Sequence, residues 1–184
     1  MNTYGSKHLA ASFRTVRNNT IQVAEDIPET QYSYIPVDGT RSVAQTLAHV
    51  ATTPMIWLEL HGDKAVTNLD EFDFFGILGR LETLEKQPRT KAEILDLLRT
   101  EGEKFASFLE GVSEEKLAQE TYGPAGQPAK SRFESLLSAK EHEMHHRAQL
   151  MLVQRLLGIV PHLTRQREQF RRDYEEKMKA QTVS

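Results

Sequence analysis

Apolar residues along this chain return at three- and four-residue intervals almost from end to end, the spacing of one face of an α-helix. Leu9, Ser12, Phe13, Val16, Thr20, Val23 and Ile27 share such a stripe, which predicts a first helix with one buried side. Pro28 and Pro36 bracket a loop, and Gly39 precedes the next helix. Ser42-Val-Ala-Gln45 has the form of a capping box, in which hydroxyl and amide satisfy backbone donors at a helix start. A second helix is therefore predicted from residue 42 to His61, stopped by Gly62 and kinked at Pro54.

Residues 63–89 lack a clear period, yet Phe72, Phe74, Phe75, Ile77 and Leu78 are too apolar for a solvated loop. This segment is expected to fold over the rest or to form a mouth. Thr90-Lys-Ala-Glu93 is another capping box, opening a third helix whose core side reads Ile94, Leu97, Leu98, Phe105, Phe108, Leu109 and Val112. Ser113-Glu-Glu starts a short helical turn, and Gly123, Pro124, Gly126 and Pro128 mark a loop. Ser131-Arg-Phe-Glu134 begins a fourth long helix that Gly158 and Pro161 end. Beyond Arg165 the chain is strongly charged, with Phe170, Tyr174 and Met178 as one narrow apolar stripe, as in a surface helix or a subunit contact. Four long amphipathic helices with few strand signals predict an all-α protein, a four-helix bundle with a charged C-terminal helix. With no internal repeat and no break in composition, residues 1–184 read as a single domain.

Composition narrows the function classes. A net charge of -3 and a sequence pI near 6.2 offer no general attraction to nucleic acid or anionic membranes. No helix-turn-helix signature and no interleaving of aromatic and basic residues is visible, so no nucleic-acid partner is expected. The absence of cysteine excludes disulfides, thiolate metal sites and a cysteine nucleophile. Met1 to Phe13 lacks the basic and apolar regions of a signal peptide. Ser42 to Leu58 carries no formal charge, but its polar residues and Pro54 mark a buried core helix rather than a membrane span. A cytoplasmic protein with no membrane partner is expected. The apolar stripe of the tail permits a homodimer without requiring one.

The fourth helix holds the most chemistry: Lys140-Glu-His-Glu-Met-His-His-Arg-Ala-Gln149. His142 and His146 lie one helical turn apart on one face, shared with Ser135, Ala139, Gln149 and Val153, while Glu141, Glu143 and Arg147 turn away from its centre. Two imidazoles at that spacing present nitrogen to one point, which suits a divalent metal. A third ligand must come from another helix. His49 is the candidate, mid-helix in the uncharged stretch among Ser42, Gln45, Thr46, Thr52, Thr53 and Ile56. Spacing alone equally allows a surface pair, or core histidines satisfied by hydrogen bonds. His145 borders the arc as a general base or as a residue supporting the ligands from behind, and Gln149 is placed to orient a ligand. Trp57 lines the pocket or is plain core. His8, His61 and His162 read as surface or loop residues.

Two of these segments resemble a known family. Thr40-Arg-Ser-Val-Ala-Gln-Thr-Leu-Ala-His49 is similar to the second-helix signature of the DinB/YfiT-like superfamily. Glu141-His142-Glu-Met-His-His146-Arg-Ala-Gln149 is similar to its fourth-helix signature, and Leu156-Leu-Gly-Ile-Val-Pro161-His-Leu to the segment that follows. The resemblance spans nearly the whole chain in element order. Ala148 stands where the family often has Gly, and Pro161-His162 where it usually has Pro-Pro; residues 63–89 match no family motif. The resemblance implies a divalent metal, commonly nickel or zinc, on His49, His142 and His146.

Three neutral ligands leave a coordination position open, as in catalytic rather than structural sites. Such a site would activate a water, as in a hydrolase, or a low-molecular-weight thiol, as in characterised thiol S-transferases of the family. Without cysteine in the chain, any such thiol is external. The alternatives are a metal-containing binding or stress-response protein without turnover, and a structural bundle in an oligomer whose histidines are merely packed. On the leading reading the partner is a small-molecule substrate, and no catalytic base is assigned.

Overall fold

The computed structural model of the chain describes residues 4–123 and 130–182. Four long segments form the bundle: α1 (Ser6–Asp26), α2 (Val43–Thr52) with its continuation α3 (Met55–Trp57), α5 (Lys91–Gly111) and α7 (Arg132–Leu156). Between them lie α4 (Phe74–Glu85) and the short α6 (Glu114–Ala118), and α8 (His162–Thr182) follows. α1 and α2 each pack against both α5 and α7, which closes the ring, and α4 lies on α2. A two-residue antiparallel ladder, β1 (Glu120–Thr121) with β2 (Lys130–Ser131), leads into α7. No described helix is long and apolar enough to cross a membrane.

The helix starts are where the capping motifs predict. Ser42, Thr90 and Ser131 each accept from the backbone N–H three residues on, and Gln45, Glu93 and Glu134 reach back to complete reciprocal boxes. α7 ends as expected: Gly158 takes a left-handed φ of 76°, and the N–H groups of Gly158 and Ile159 bond back to the carbonyls of Arg155 and Gln154. That is the paired closure glycine permits at a helix end. Of the predicted loop, Gly123 is described, while Pro124, Gly126 and Pro128 lie outside the described residues.

Two apolar clusters of the core are separated by a polar layer, and a third, with Ile56, Leu60, Phe72, Ile77 and Leu81, lies under α4. On one side Val23, Ile27, Leu47, Leu98 and Leu150 pack together; on the other Leu9, Phe13, Phe105, Leu109 and Leu136 do. Between them Arg17, 3% exposed, spans the bundle from α1. It pairs with Glu143 of α7 at 2.9 Å, donates to the Leu98 carbonyl of α5 at 2.8 Å and to the Val50 carbonyl of α2 at 3.1 Å. Gly102 of α5 makes room for it, since a Cβ there would stand 2.8 Å from Arg17 Cγ. Glu143 does turn away from the histidine face, as predicted, but into this buried layer.

Two expectations fail. Gly62 does not stop the second helix: after the break at Pro54 and the turn of α3, the chain widens into a π-helical segment, Leu58–Asp63. Gly62 lies within it because the Phe108 ring leaves little space for a side chain, 3.3 Å from where its Cβ would be. His61 and His162, read as surface residues, are 1% and 4% exposed. Each is buried against a partner distant in sequence, Arg132 and Asn19 respectively, so local pattern gives no sign of it. Residues 63–89, unassigned from sequence, contain the twelve-residue α4, capped by Asp73, whose carboxylate accepts from Gly76 N–H.

Candidate metal centre

His49 sits in the last turn of α2, one turn before Pro54, and α7 brings His142 and His146 from the facing helix. Their ring centres form a near-equilateral triangle, 5.0, 4.8 and 4.6 Å on a side. Each offers a ligand nitrogen lying within 4.8 Å of the other two. The Nε2 atoms of His49 and His142 are 3.2 Å apart. Two nitrogens bound at the usual zinc distance in tetrahedral geometry stand about 3.4 Å apart, so the pair is already at ligand spacing. All three predicted metal residues are thus brought together.

Hydrogen bonds behind the rings fix which nitrogen faces inward. A carboxylate of Glu85 lies 3.1 Å from His49 Nδ1 and can only accept, so that nitrogen carries the hydrogen and Nε2 presents its lone pair to the centre. His146 repeats the arrangement, its Nδ1 donating to Gln149 Oε1 at 2.8 Å. Gln149 in turn donates to His145 Nε2 at 3.1 Å. His145 and Gln149 are therefore a relay on the outer side of His146, with His145 itself exposed. Partners of this kind hold imidazoles in register and raise their basicity toward a metal.

Electrostatics favour the same state. Burial, then the charge of Arg41, pushes His49 down to about 4. Burial, then the neighbouring His146 and His49, does the same to His142. His146 is lowered too, chiefly by burial and against the pull of its Gln149 bond. At neutral pH all three rings are uncharged, the form in which imidazole binds a metal. The His49–Glu85 contact is accordingly a hydrogen bond from a neutral ring rather than an ion pair.

Glu85 is the residue that sequence reasoning missed. It is 8% exposed, ends α4, and binds His49 with one oxygen and Arg41 with the other, at 2.6 Å. The available signal was the four-residue step Ile77, Leu81, Glu85, which sets a carboxylate on the buried face of an apolar helix.

The triad opens on a cavity of about 1680 Å³ walled by α2, α4, α7 and residues 36–41. Thr46, Thr53, Ile56 and Trp57 line its interior, and the Trp57 ring centre is 6.3 Å from that of His142. Its rim exposes Val37, Phe74, Phe75, Leu78, Leu152 and Leu156. Residues 63–89, through Phe74, Phe75 and Leu78, thus supply part of the mouth, as expected.

A helical ring with a histidine triad spanning two of its helices defines a class, and sequence comparison gives it a family. The DinB superfamily profile matches residues 12–150, and the chain belongs to that family. It is 27% identical over 154 residues to the uncharacterised protein YjoA of Bacillus subtilis (strain 168), an alignment covering 83% of this chain and 91% of YjoA. The crystal structure of that DinB-like protein superposes with a TM-score of 0.60 at 25% identity, over 82% of this chain and 91% of that one. YfiT of Bacillus subtilis, described as a probable metal-dependent hydrolase with an unusual four-helix bundle topology, shares the fold with a TM-score of 0.64 at 17% identity, over 84% and 88% of the two chains.

Proposed function

We propose that this protein is a divalent-metal-dependent enzyme acting on a small molecule, its ion held by His49, His142 and His146. The observation that carries the reading is the convergence of three neutral imidazoles, two of them locked from behind by Glu85 and Gln149. The description of YfiT as a probable metal-dependent hydrolase supports it from the same fold. An ion held there supplies Lewis acidity, making a water or thiol presented to it more acidic near neutral pH.

The chain's own residues set the rest. Neutral ligands leave the ion's charge undiminished, and the cavity gives access to it. Trp57, Ile56 and the apolar rim exclude water from around an entering molecule and fit one with an apolar body. Glu85 is engaged by His49 and Arg41, which disfavours it as a proton acceptor for the reaction. The activity is therefore hydrolase-like, with water as attacking group, or thiol S-transferase-like, with an external thiol. Zinc and nickel both suit three nitrogen donors.

The test is elemental analysis of protein purified without a tag, followed by ester-hydrolysis and thiol-conjugation assays of the wild type and His142→Ala. One equivalent of zinc or nickel, with an activity that His142→Ala abolishes, is expected. A metal without activity in either assay would leave the family's alternative, a metal-containing binding protein; activity undiminished in His142→Ala would refute the metal mechanism.

A further inference from the structure

Ser135 lines the same cavity as the triad, and a buried relay stands behind it. Arg132, 1% exposed, donates from Nη1 to His61 Nδ1 at 2.8 Å, and His61 Nε2 lies 2.7 Å from Ser135 Oγ. Arg132 is itself held by Gln119 Oε1 at 2.8 Å and the Ala65 carbonyl at 2.9 Å. The chemistry of these groups leaves one arrangement. A guanidinium can only donate, so His61 Nδ1 accepts, and the ring's single hydrogen is on Nε2. That hydrogen goes to Ser135 Oγ, which accepts it. His61 is therefore no base for Ser135, and the pair is not a nucleophile.

The relay has another effect. With its oxygen occupied by His61, Ser135 has its own hydroxyl hydrogen left, and among the described residues no protein acceptor takes it. The side chain is a donor held in place from behind and facing the cavity. Ser135 precedes His142 by seven residues and His146 by eleven, so the donor shares their face and stands about 10 Å from the first and about 16 Å from the second along α7. The same cavity wall carries the apolar Ile56, Trp57 and Leu60.

We infer that Ser135 is the distal anchor of the substrate site, donating a hydrogen bond to a carbonyl, amide or carboxylate oxygen carried about 10–16 Å from the metal-binding end of an elongated ligand. His61 and Arg132 are positioning residues that act through it. The inference rests on the metal-site reading above, and it adds a length and a second functional group to the substrate class.

The probes are alkyl hydroxamates, whose head grips zinc or nickel whichever reaction the site performs. Two series of matched tail length are compared by calorimetry on the metal-loaded protein, one ending in a carboxamide and one in a methyl group. The amide series is expected to bind about three- to tenfold tighter at tail lengths matching the Ser135–His142 separation, and not at shorter ones. Ser135→Ala removes that advantage and leaves metal content and the affinity of tailless acetohydroxamate unchanged, while the melting temperature falls because His61 Nε2–H loses its acceptor; Ser135→Thr, which keeps the hydroxyl, restores both. Long-range nitrogen–proton correlation spectra show His61 with its hydrogen on Nε2. Equal binding of both series at every length, or an amide advantage that survives Ser135→Ala, overturns the anchor while leaving the metal site standing. Failure of every hydroxamate to bind overturns the metal reading and the anchor together.

Discussion

Arg17 donates a hydrogen bond to the carbonyl of Val50, the carbonyl whose helical partner would be the missing N–H of Pro54. The proline that breaks the second helix thus orphans one acceptor, and an arginine from across the bundle satisfies it. Because the same guanidinium also binds Glu143 and Leu98, the break in one helix is tied to the other three long helices of the bundle. Removing one partner of such a buried pair strands the other charge, at a cost of about 3–5 kcal/mol. Arg17→Met is expected to lose stability on that scale in urea unfolding. The double variant Arg17→Met, Glu143→Leu recovers much of it, since an apolar pair of similar volume leaves no charge behind. A double variant no more stable than the single one contradicts this account.

Gly102 gives a counter-intuitive substitution. Alanine stabilises most helix interiors relative to glycine by up to about 1 kcal/mol. Here the added methyl would meet Arg17 Cγ at 2.8 Å, and overpacking of this kind costs roughly 1–3 kcal/mol. Gly102→Ala is therefore expected to lower the denaturation midpoint; an unchanged or raised midpoint shows that Arg17 has room to shift.

Glu85 should govern how tightly the ion is held without touching it. Glu85→Ala leaves His49 Nδ1 without its acceptor and is expected to weaken zinc or nickel about 10- to 100-fold, Glu85→Gln less. Competition with a chromophoric chelator measures both. Wild-type affinity in Glu85→Ala would mean that His49 is held by packing alone.

Metal removal should be visible in stability. An ion that binds only the folded chain adds about 2.7 kcal/mol when present at a hundred times its dissociation constant. Chelation is expected to lower the melting temperature of the wild type and to leave His142→Ala unmoved. Equal shifts in both would place the ion elsewhere.

Acid sensitivity follows from His61. Burial, then the charges of Arg132 and Lys116, lowers its pKa to about 4 in the folded protein, against about 6.5 unfolded. Between those values the unfolded chain binds a proton that the folded one refuses. Stability therefore falls as pH drops below 6.5 and levels near 4, by on the order of 3 kcal/mol for this group. His61→Gln removes the titration, so in chelated protein its stability should decline less steeply across that window than the wild type's. Parallel curves would show that His61 protonates freely in the native state.

What could be read beforehand divides along physical lines. Ser42, Thr90 and Ser131 announce helix starts because a cap is a local transaction between residues three apart. His142 and His146 are legible for the same reason, and His49 because an uncharged helix with one imidazole stands out. Arg132 with His61, and Glu143 with Arg17, are not legible: each pair is joined across more than seventy positions, and a charged or imidazole side chain in sequence looks the same whether solvated or buried. Glu85 is hidden differently. Gly76 and Gly79 weaken the helical signal of α4, so the carboxylate at its end passes for part of a loop.

α4 begins with Phe74, Phe75 and Leu78 at the cavity rim and ends with Glu85 against His49. Its twelve residues form a rod about 18 Å long. One rigid element therefore carries both the doorway and the carboxylate that orients a ligand ring, so the shape of the entrance and the orientation of His49 are set by the same twelve residues.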